Sequence, residues 1–122
     1  ERLIIELQKQ LKGFEQTAVI TSFDLKIHQA LQQQQSSFKR GLLIEQDIKQ
    51  HAIEQALNLG CCQIGWMNQL ATDDIIQATQ KAQLDISVWT VNDIERAKHL
   101  QRLGIDGLIT DFPKMMLEHL SI

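Results

Sequence analysis

Ile86-Ser87-Val88-Trp89-Thr90-Val91-Asn92, followed by a helical segment and then by Asp106-Gly107-Leu108-Ile109-Thr110-Asp111-Phe112-Pro113, is the stretch that decides the fold of this chain. In its first half, apolar residues occupy both odd and even positions, and many of them are β-branched. This pattern is typical of a parallel strand covered on both faces. Between the halves, apolar residues recur at helical spacing from Ile94 to Leu103, and Gly104 supplies a left-handed stop. This order predicts a right-handed βαβ crossover.

Polar residues follow both strands of this unit at their carboxyl ends. Thr90 and Asn92 follow the first strand, and Thr110 and Asp111 follow the second. We expect Asn92 to cap the next helix, with Glu95 completing a capping box, and Asp111 to cap the last helix. Ligands of α/β proteins bind at the carboxyl ends of the strands. The sequence therefore predicts a functional site at this edge of the sheet.

The rest of the chain repeats the alternation of short apolar strands and amphipathic helices. Predicted strands cover residues 17–23, 41–45, 61–66, 86–91 and 107–110, and predicted helices cover 2–14, 25–35, 47–59, the segment after the Thr72 cap, 92–104 and the segment from Pro113. Such alternation is typical of a parallel sheet with covering helices. A complete (β/α)8 barrel needs roughly 250 residues, so 122 residues correspond to about half of one.

The domain prediction follows from this count. We expect residues 1–122 to form a single, incomplete domain. Because the chain opens on a helix with no strand before it, we expect it to begin midway through a β/α repeat. Its first residue is Glu1 and not Met, so we expect a trimmed chain.

Composition and charge limit the classes of partner that the chain is expected to bind. A net charge of -3, with 12 basic residues and no basic stripe, argues against nucleic acid as a partner. No apolar run reaches the length of a membrane span. A cytoplasmic location is expected, and membrane association of a longer parent protein is left open.

Neither the cysteines nor the histidines show a metal-binding spacing. Cys61 and Cys62 are adjacent, and two small buried side chains in a reducing compartment are favoured over a reactive or metal-binding pair. All four histidines fall in predicted helices, where we expect surface positions: His28, His51, His99 and His119.

Two blocks at the end of the chain carry a family resemblance. Val88-Trp89-Thr90-Val91-Asn92 and, about a dozen residues later, Leu103 to Pro113 resemble the end of a glycerophosphodiester phosphodiesterase. The segments Ala18–Phe23 and Gly41–Leu43 resemble earlier strands of that family, whereas Gly65-Trp66 stands where the family often has His or Pro. The resemblance implies a TIM barrel, of which this chain is the C-terminal half.

The implied activity is hydrolysis of glycerophosphodiesters to glycerol 3-phosphate and an alcohol. The resemblance also implies a divalent metal, magnesium or calcium, held by carboxylates, and two histidines that act on the phosphodiester. The family's His-Arg-Gly and His-Asp motifs are absent from these 122 residues. Glu-x-Asp spacing occurs once, at Glu45-Gln46-Asp47, without the other motifs around it. We therefore expect no catalytic residue and no metal ligand in this chain, and no metal bound to the fragment itself.

The resemblance implies that this chain supplies residues that line the substrate pocket. Trp89 and Phe23, at the ends of their strands, are the predicted substrate-binding residues. Each has an alternative as a core side chain. Glu45, at the end of another strand, is either a solvated or cap-bonded acid or a polar contact in the pocket.

Three functions follow. The parent protein is expected to be a phosphoric diester hydrolase, to which this chain contributes pocket walls. The alternatives are a non-catalytic α/β binding or self-assembling module on the same scaffold, and another phosphate-binding barrel. Half a barrel leaves two edge strands unpaired and an apolar inner face open, so we also expect a homo-oligomer formed through these edges.

Overall fold

One parallel sheet with helices between its strands forms the structure, which is a computed structural model that describes residues 19–120. The strands are β1 (Val19–Ser22), β2 (Lys39–Ile44), β3 (Gln63–Met67), β4 (Asp85–Trp89) and β5 (Gly107–Leu108). The helices are α1 (Leu25–Gln33), α2 (His51–Asn58), α3 (Asp73–Lys81), α4 (Ile94–Leu103) and α5 (Pro113–His119), and a 3-10 turn (Asn68–Leu70) follows β3.

The strands pair in chain order, β1-β2-β3-β4-β5, and every pairing is parallel. The predicted alternation of strands and helices is thus confirmed over the described residues. The predicted helix over residues 2–14 and the first two residues of the predicted first strand lie outside them. Within residues 19–120, no helix is long and apolar enough to cross a membrane.

The register divides the sheet into two faces. On the helix face, two rows of apolar side chains run across neighbouring strands and are almost fully buried: Leu42, Ile64 and Ile86, then Ile44, Trp66 and Val88. The opposite face, here called the inner face, carries the remaining strand residues, including Leu43, Gly65, Ser87 and Gly107 in one row and Met67 and Trp89 in the next. The hydrophobic core lies on the helix face.

Several helix ends are as predicted. Thr72 caps α3 through its Oγ1, which accepts a hydrogen bond from the Ile75 amide at 3.2 Å. Gly60 and Gly104 follow α2 and α4 with φ of +71° and +83°, the left-handed region that glycine enters without steric cost. These signals are local, so the sequence shows them directly.

The predicted caps at Asn92 and Asp111 are wrong. Asp93 caps α4, and its Oδ2 accepts from the Arg96 amide at 2.8 Å. Phe112 precedes α5 and makes no side-chain cap hydrogen bond. The reason is tertiary: the Asn92 and Asp111 side chains hydrogen-bond to each other across two loops, at 3.0 Å, and are therefore not available to the helix ends.

Two element boundaries also differ from prediction. Helix α2 begins at His51 rather than near Asp47, because Lys49 has a φ of +52° and interrupts the helical backbone. Strand β3 begins at Gln63, so the two cysteines precede it instead of lying within it. Both cysteines are free thiols.

The prediction of a surface position is wrong for His28, which is completely buried. On α1 it lies three residues before Leu31, on the side that faces the sheet. Its Nε2 donates to the Ser22 carbonyl at 3.1 Å, and its Nδ1 lies 3.6 Å from Cys61 Sγ. The buried Arg40 donates through Nη1 to the His28 carbonyl at 2.9 Å. The other three histidines are exposed or half-exposed: His51, His99 and His119.

Candidate functional site

The two predicted pocket residues meet on the inner face, at the carboxyl edge of the sheet. Phe23 directly follows β1 and Trp89 ends β4, yet their ring centroids lie 5.5 Å apart with an interplanar angle of 87°. Strands β2 and β3 lie between them in the sheet, so the contact reaches across the inner face. Edge-to-face geometry is favourable because a ring's positive edge meets the negative face of its neighbour.

Gly65 anchors the Trp89 ring and leaves room for a neighbouring side chain. The Trp89 indole Nε1 donates to the Gly65 carbonyl at 3.0 Å, which fixes the ring over β3. A Cβ at position 65 would lie 2.6 Å from Leu43 Cδ2, 3.1 Å from Ser87 Oγ and 3.6 Å from Trp89 Cδ1. The absent side chain of Gly65 therefore leaves room for Leu43, and a larger residue would force Leu43 to shift and would crowd the indole. The departure of Gly65 from the family pattern has a structural role.

Trp66 faces the opposite way. It is 1% exposed on the helix face, and its Nε1 donates to Thr79 Oγ1 on α3 at 3.1 Å. The Thr79 hydroxyl in turn donates to the Ile75 carbonyl at 2.7 Å. Trp66 is thus a core residue with a satisfied indole N–H, and it is not part of the inner face.

Polar residues at the carboxyl edge are brought together as predicted, although in a different role. Asn92 Oδ1 accepts from Thr110 Oγ1 at 3.1 Å and from the Asp111 amide at 3.0 Å, and its Nδ2 donates to Asp111 Oδ2 at 3.0 Å. These three bonds tie the loop after β4 to the loop after β5. These bonds among Asn92, Thr110 and Asp111, here called the Asn92–Asp111 bracket, hold the two loops together beside Trp89. None of them caps a helix.

Arg96 organises the loop after β3, and no sequence motif indicated this. From the first turn of α4, its Nε donates to Asn68 Oδ1 at 2.9 Å and its Nη2 donates to the Ala71 carbonyl at 2.7 Å. The guanidinium thereby holds the 3-10 turn at the carboxyl edge. A charged residue on a helix is usually solvated, so only the tertiary structure reveals this role.

A cavity of about 250 Å³ opens beside Phe23. Its lining comes from the segment after β1, the start of α1, the end of β2 with the loop after it, and α2, and includes Leu25, Leu43 and Glu45. Glu45 is exposed, as expected for a solvated acid, and no hydrogen bond or ion pair with another residue of the described range engages its carboxylate. A larger groove of about 770 Å³ between α2 and α3 contains neither Phe23 nor Trp89.

The described residues do not provide a metal site. Within residues 19–120, no group of three or more His, Cys, Asp or Glu side chains is arranged to hold a metal ion. The divalent metal that the resemblance implies therefore has no ligand set among residues 19–120.

The chain belongs to the glycerophosphoryl diester phosphodiesterase family, whose model matches residues 2–115. Enzymes of this family generally use a divalent metal. A protein of Bacillus subtilis (strain 168), YhdW, provisionally named as a glycerophosphodiester phosphodiesterase, is 39% identical over 44 residues, which are 36% of this chain and 18% of that protein. The family resemblance is thus confirmed.

Solved structures of the family share the fold. A phosphodiesterase of Oleispira antarctica, in complex with its product sn-glycerol-3-phosphate, superposes with a TM-score of 0.77 at 20% identity, over 95% of this chain and 48% of that one. A glycerophosphodiester phosphodiesterase of Parabacteroides distasonis gives a TM-score of 0.76 at 18% identity, over 96% and 48%. The chain spans less than half the length of these relatives, and its parallel α/β fold is that of part of their TIM barrel.

Proposed function

We propose that residues 1–122 form the C-terminal half of a barrel that hydrolyses glycerophosphodiesters to glycerol 3-phosphate and an alcohol. The observation that carries this proposal is the Phe23–Trp89 pair on the inner face, at the edge where barrels of this kind bind ligands. Membership of the family supports it, as does the product complex of the Oleispira relative.

The role of this chain is to position the substrate. The aromatic pair offers an apolar wall that excludes water, and the Asn92–Asp111 bracket holds the adjoining loops in place. Fixed walls of this kind raise rates because they hold the substrate in the reacting geometry. The ligands of the divalent metal, magnesium or calcium, and the histidines that act on the phosphodiester would come from the preceding half of the barrel.

The test compares the fragment with a longer chain. We expect the 122 residues alone not to hydrolyse glycerophosphocholine with magnesium or calcium, and a natural chain that includes the preceding half to release glycerol 3-phosphate. In the longer chain, Trp89→Ala should lower kcat/KM by about tenfold, equivalent to about 1.4 kcal/mol. Leu57→Ala, at a half-exposed position on α2, is the control and should leave the rate unchanged. Turnover by the fragment alone would contradict this placement of the active groups.

A second candidate function is a non-catalytic binding or self-assembling module, located in the cytoplasm and without nucleic acid as a partner. Its support is the exposure of apolar side chains at both edges of the sheet: Val19, 42% exposed on β1, and Ile109, 47% exposed just after β5. Edges of this kind pair with other chains. A concentration-dependent dimer in light scattering would favour it, together with failure of the longer chain to hydrolyse the substrate although its metal motifs are intact.

A further inference from the structure

We infer that Arg96 is a positioning residue for the proposed hydrolysis, because it holds the loop after β3 in place beside Trp89. The inference rests on the proposed function and names a residue that acts on the reaction only through others. Arg96 lies in the first turn of α4, where its amide donates to Asp93 Oδ2 at 2.8 Å. Its side chain is half-buried, and the guanidinium donates three hydrogen bonds to the loop after β3.

The guanidinium of Arg96 joins the two ends of the 3-10 turn Asn68–Leu70. Its Nε donates to Asn68 Oδ1 at 2.9 Å, and its Nη2 donates both to the Asn68 carbonyl at 3.4 Å and to the Ala71 carbonyl at 2.7 Å. Ala71 is 1% exposed, so its carbonyl would have little access to water without the guanidinium. The planar fork of an arginine can meet all these acceptors at once, whereas a lysine ammonium is a point charge on a flexible stem.

The turn that Arg96 holds begins beside the proposed pocket wall. Asn68 directly follows Met67, and Met67 is the register partner of Trp89 on the inner face. Helix α4 in turn follows the loop that the Asn92–Asp111 bracket ties to the loop after β5. Arg96 therefore completes a series of hydrogen bonds that joins the loops after β3, β4 and β5. A small displacement of such a frame lowers the rate of a reaction, because the substrate loses its reacting alignment.

Variants of the longer chain, which includes the preceding half of the barrel, test this role. Arg96→Ala should lower kcat for glycerophosphocholine about tenfold and change KM by less than about twofold, because lost alignment affects the transition state more than binding of the substrate. His99→Ala is the matched control. His99 Nε2 lies 2.8 Å from Asp73 Oδ1, a contact that also joins α4 to α3 but does not involve residues 68–71. This variant should leave kcat unchanged.

A conservative variant and hydrogen exchange separate positioning from stabilisation alone. Arg96→Lys keeps the charge and part of the hydrogen bonding, so it should lower kcat only about threefold, and it decides the question if Arg96→Ala does not fold. The Ala71 amide donates to the Asn68 carbonyl at 3.2 Å within the turn. Its hydrogen exchange should be faster in both Arg96 variants than in the native chain, and unchanged in His99→Ala.

Three results would overturn the inference and leave the proposed function standing: native kcat in the Arg96 variants, a rise in KM with kcat unchanged, or a lower kcat without faster exchange at Ala71. The proposed function fails in a different measurement, which is the activity of the native longer chain. If that chain does not hydrolyse glycerophosphodiesters, the proposed function is wrong and the role of Arg96 in it is wrong as well.

Discussion

The two tryptophans show how differently the two faces of one sheet are used. Trp66 on β3 is 1% exposed and bonds to Thr79 of the helix layer, whereas Trp89 on β4 is only partly buried and bonds to the Gly65 carbonyl of the neighbouring strand. Their partners in the register are Val88 and Met67, respectively. Side chains alternate between faces along a strand, so a shift of one register position separates a core residue from a residue of the inner face.

The largest expected effect tests this division directly. Trp66→Ala should lower the free energy of unfolding by about 3–5 kcal/mol, as expected for a large aromatic removed from a packed core. Trp89→Ala loses one hydrogen bond and one aromatic contact at a partly open surface, and should cost about 1–2 kcal/mol. Urea denaturation followed by circular dichroism measures both. Equal losses for the two variants would show that the inner face is packed as tightly as the helix face.

A change at Gly65 should disturb the inner face alone. Gly65→Val adds side-chain atoms where a Cβ already lies 2.6 Å from Leu43 Cδ2, so we expect a loss of about 2 kcal/mol. The displaced indole should also shift the emission of Trp89, measured in a Trp66→Phe background. Gly107→Val is the matched control, because a Cβ there meets nothing closer than Ser87 Cβ at 3.5 Å. If both variants behave alike, Gly65 does not have the space-making role assigned to it.

The periodicity of apolar residues predicted the fold well, because the fold depends on this periodicity and it is the strongest signal in a short stretch of sequence. Alternating apolar strands and amphipathic helices are written into short windows, and their repetition specifies a parallel sheet before any contact is known. The same rule placed Trp89 and Phe23 at one edge. Their contact itself could not be predicted from the sequence, since it joins residues 66 positions apart and the indole is held by the Gly65 carbonyl of another strand.

The sequence could not assign a helix cap where two neighbouring residues were equally suited to that role. Asn92 and Asp93 are both good capping residues, and only the bond of Asn92 to the loop after β5 decides that Asp93 caps α4. The predicted surface position of His28 was wrong for a related reason. Histidine is most often at the surface, and its position beside Arg40 and Cys61 arises from packing between α1 and the sheet, which no spacing rule reports.

The bracket at the carboxyl edge should have a moderate effect. Asn92→Ala removes three hydrogen bonds to Thr110 and Asp111, and we expect a loss of about 1 kcal/mol because the groups are exposed and water replaces the protein partners. Hydrogen exchange should speed up in the loops after β4 and β5. Asn58→Ala at the exposed end of α2 is the control, since Asn58 contributes only its backbone carbonyl, to Gln32. Unchanged exchange in both loops would contradict the bracket.

The smallest expected effect concerns the helix face, where a charge is poorly tolerated. Burial, and secondarily the Arg40 guanidinium, hold the pKa of His28 below its ordinary value of 6.5, although the Ser22 carbonyl and Asp24 act in the opposite direction. The unfolded chain therefore takes up a proton at His28 before the folded chain does. The stability that His28 contributes is complete above pH 6.5 and is lost as the pH falls through and below that value.

A difference between two chains isolates this contribution from other titrating groups. His28→Gln keeps a nitrogen donor for the Ser22 carbonyl but cannot become charged in this pH range. We expect the unfolding free energy of the native chain to fall more steeply than that of His28→Gln between pH 7.5 and 5, in parallel urea titrations. His119→Gln, at an exposed position, should follow the native curve. Parallel curves for all three chains would mean that the pocket around His28 admits enough water to solvate the imidazolium, and that the helix face is less closed than the burial of Trp66 implies.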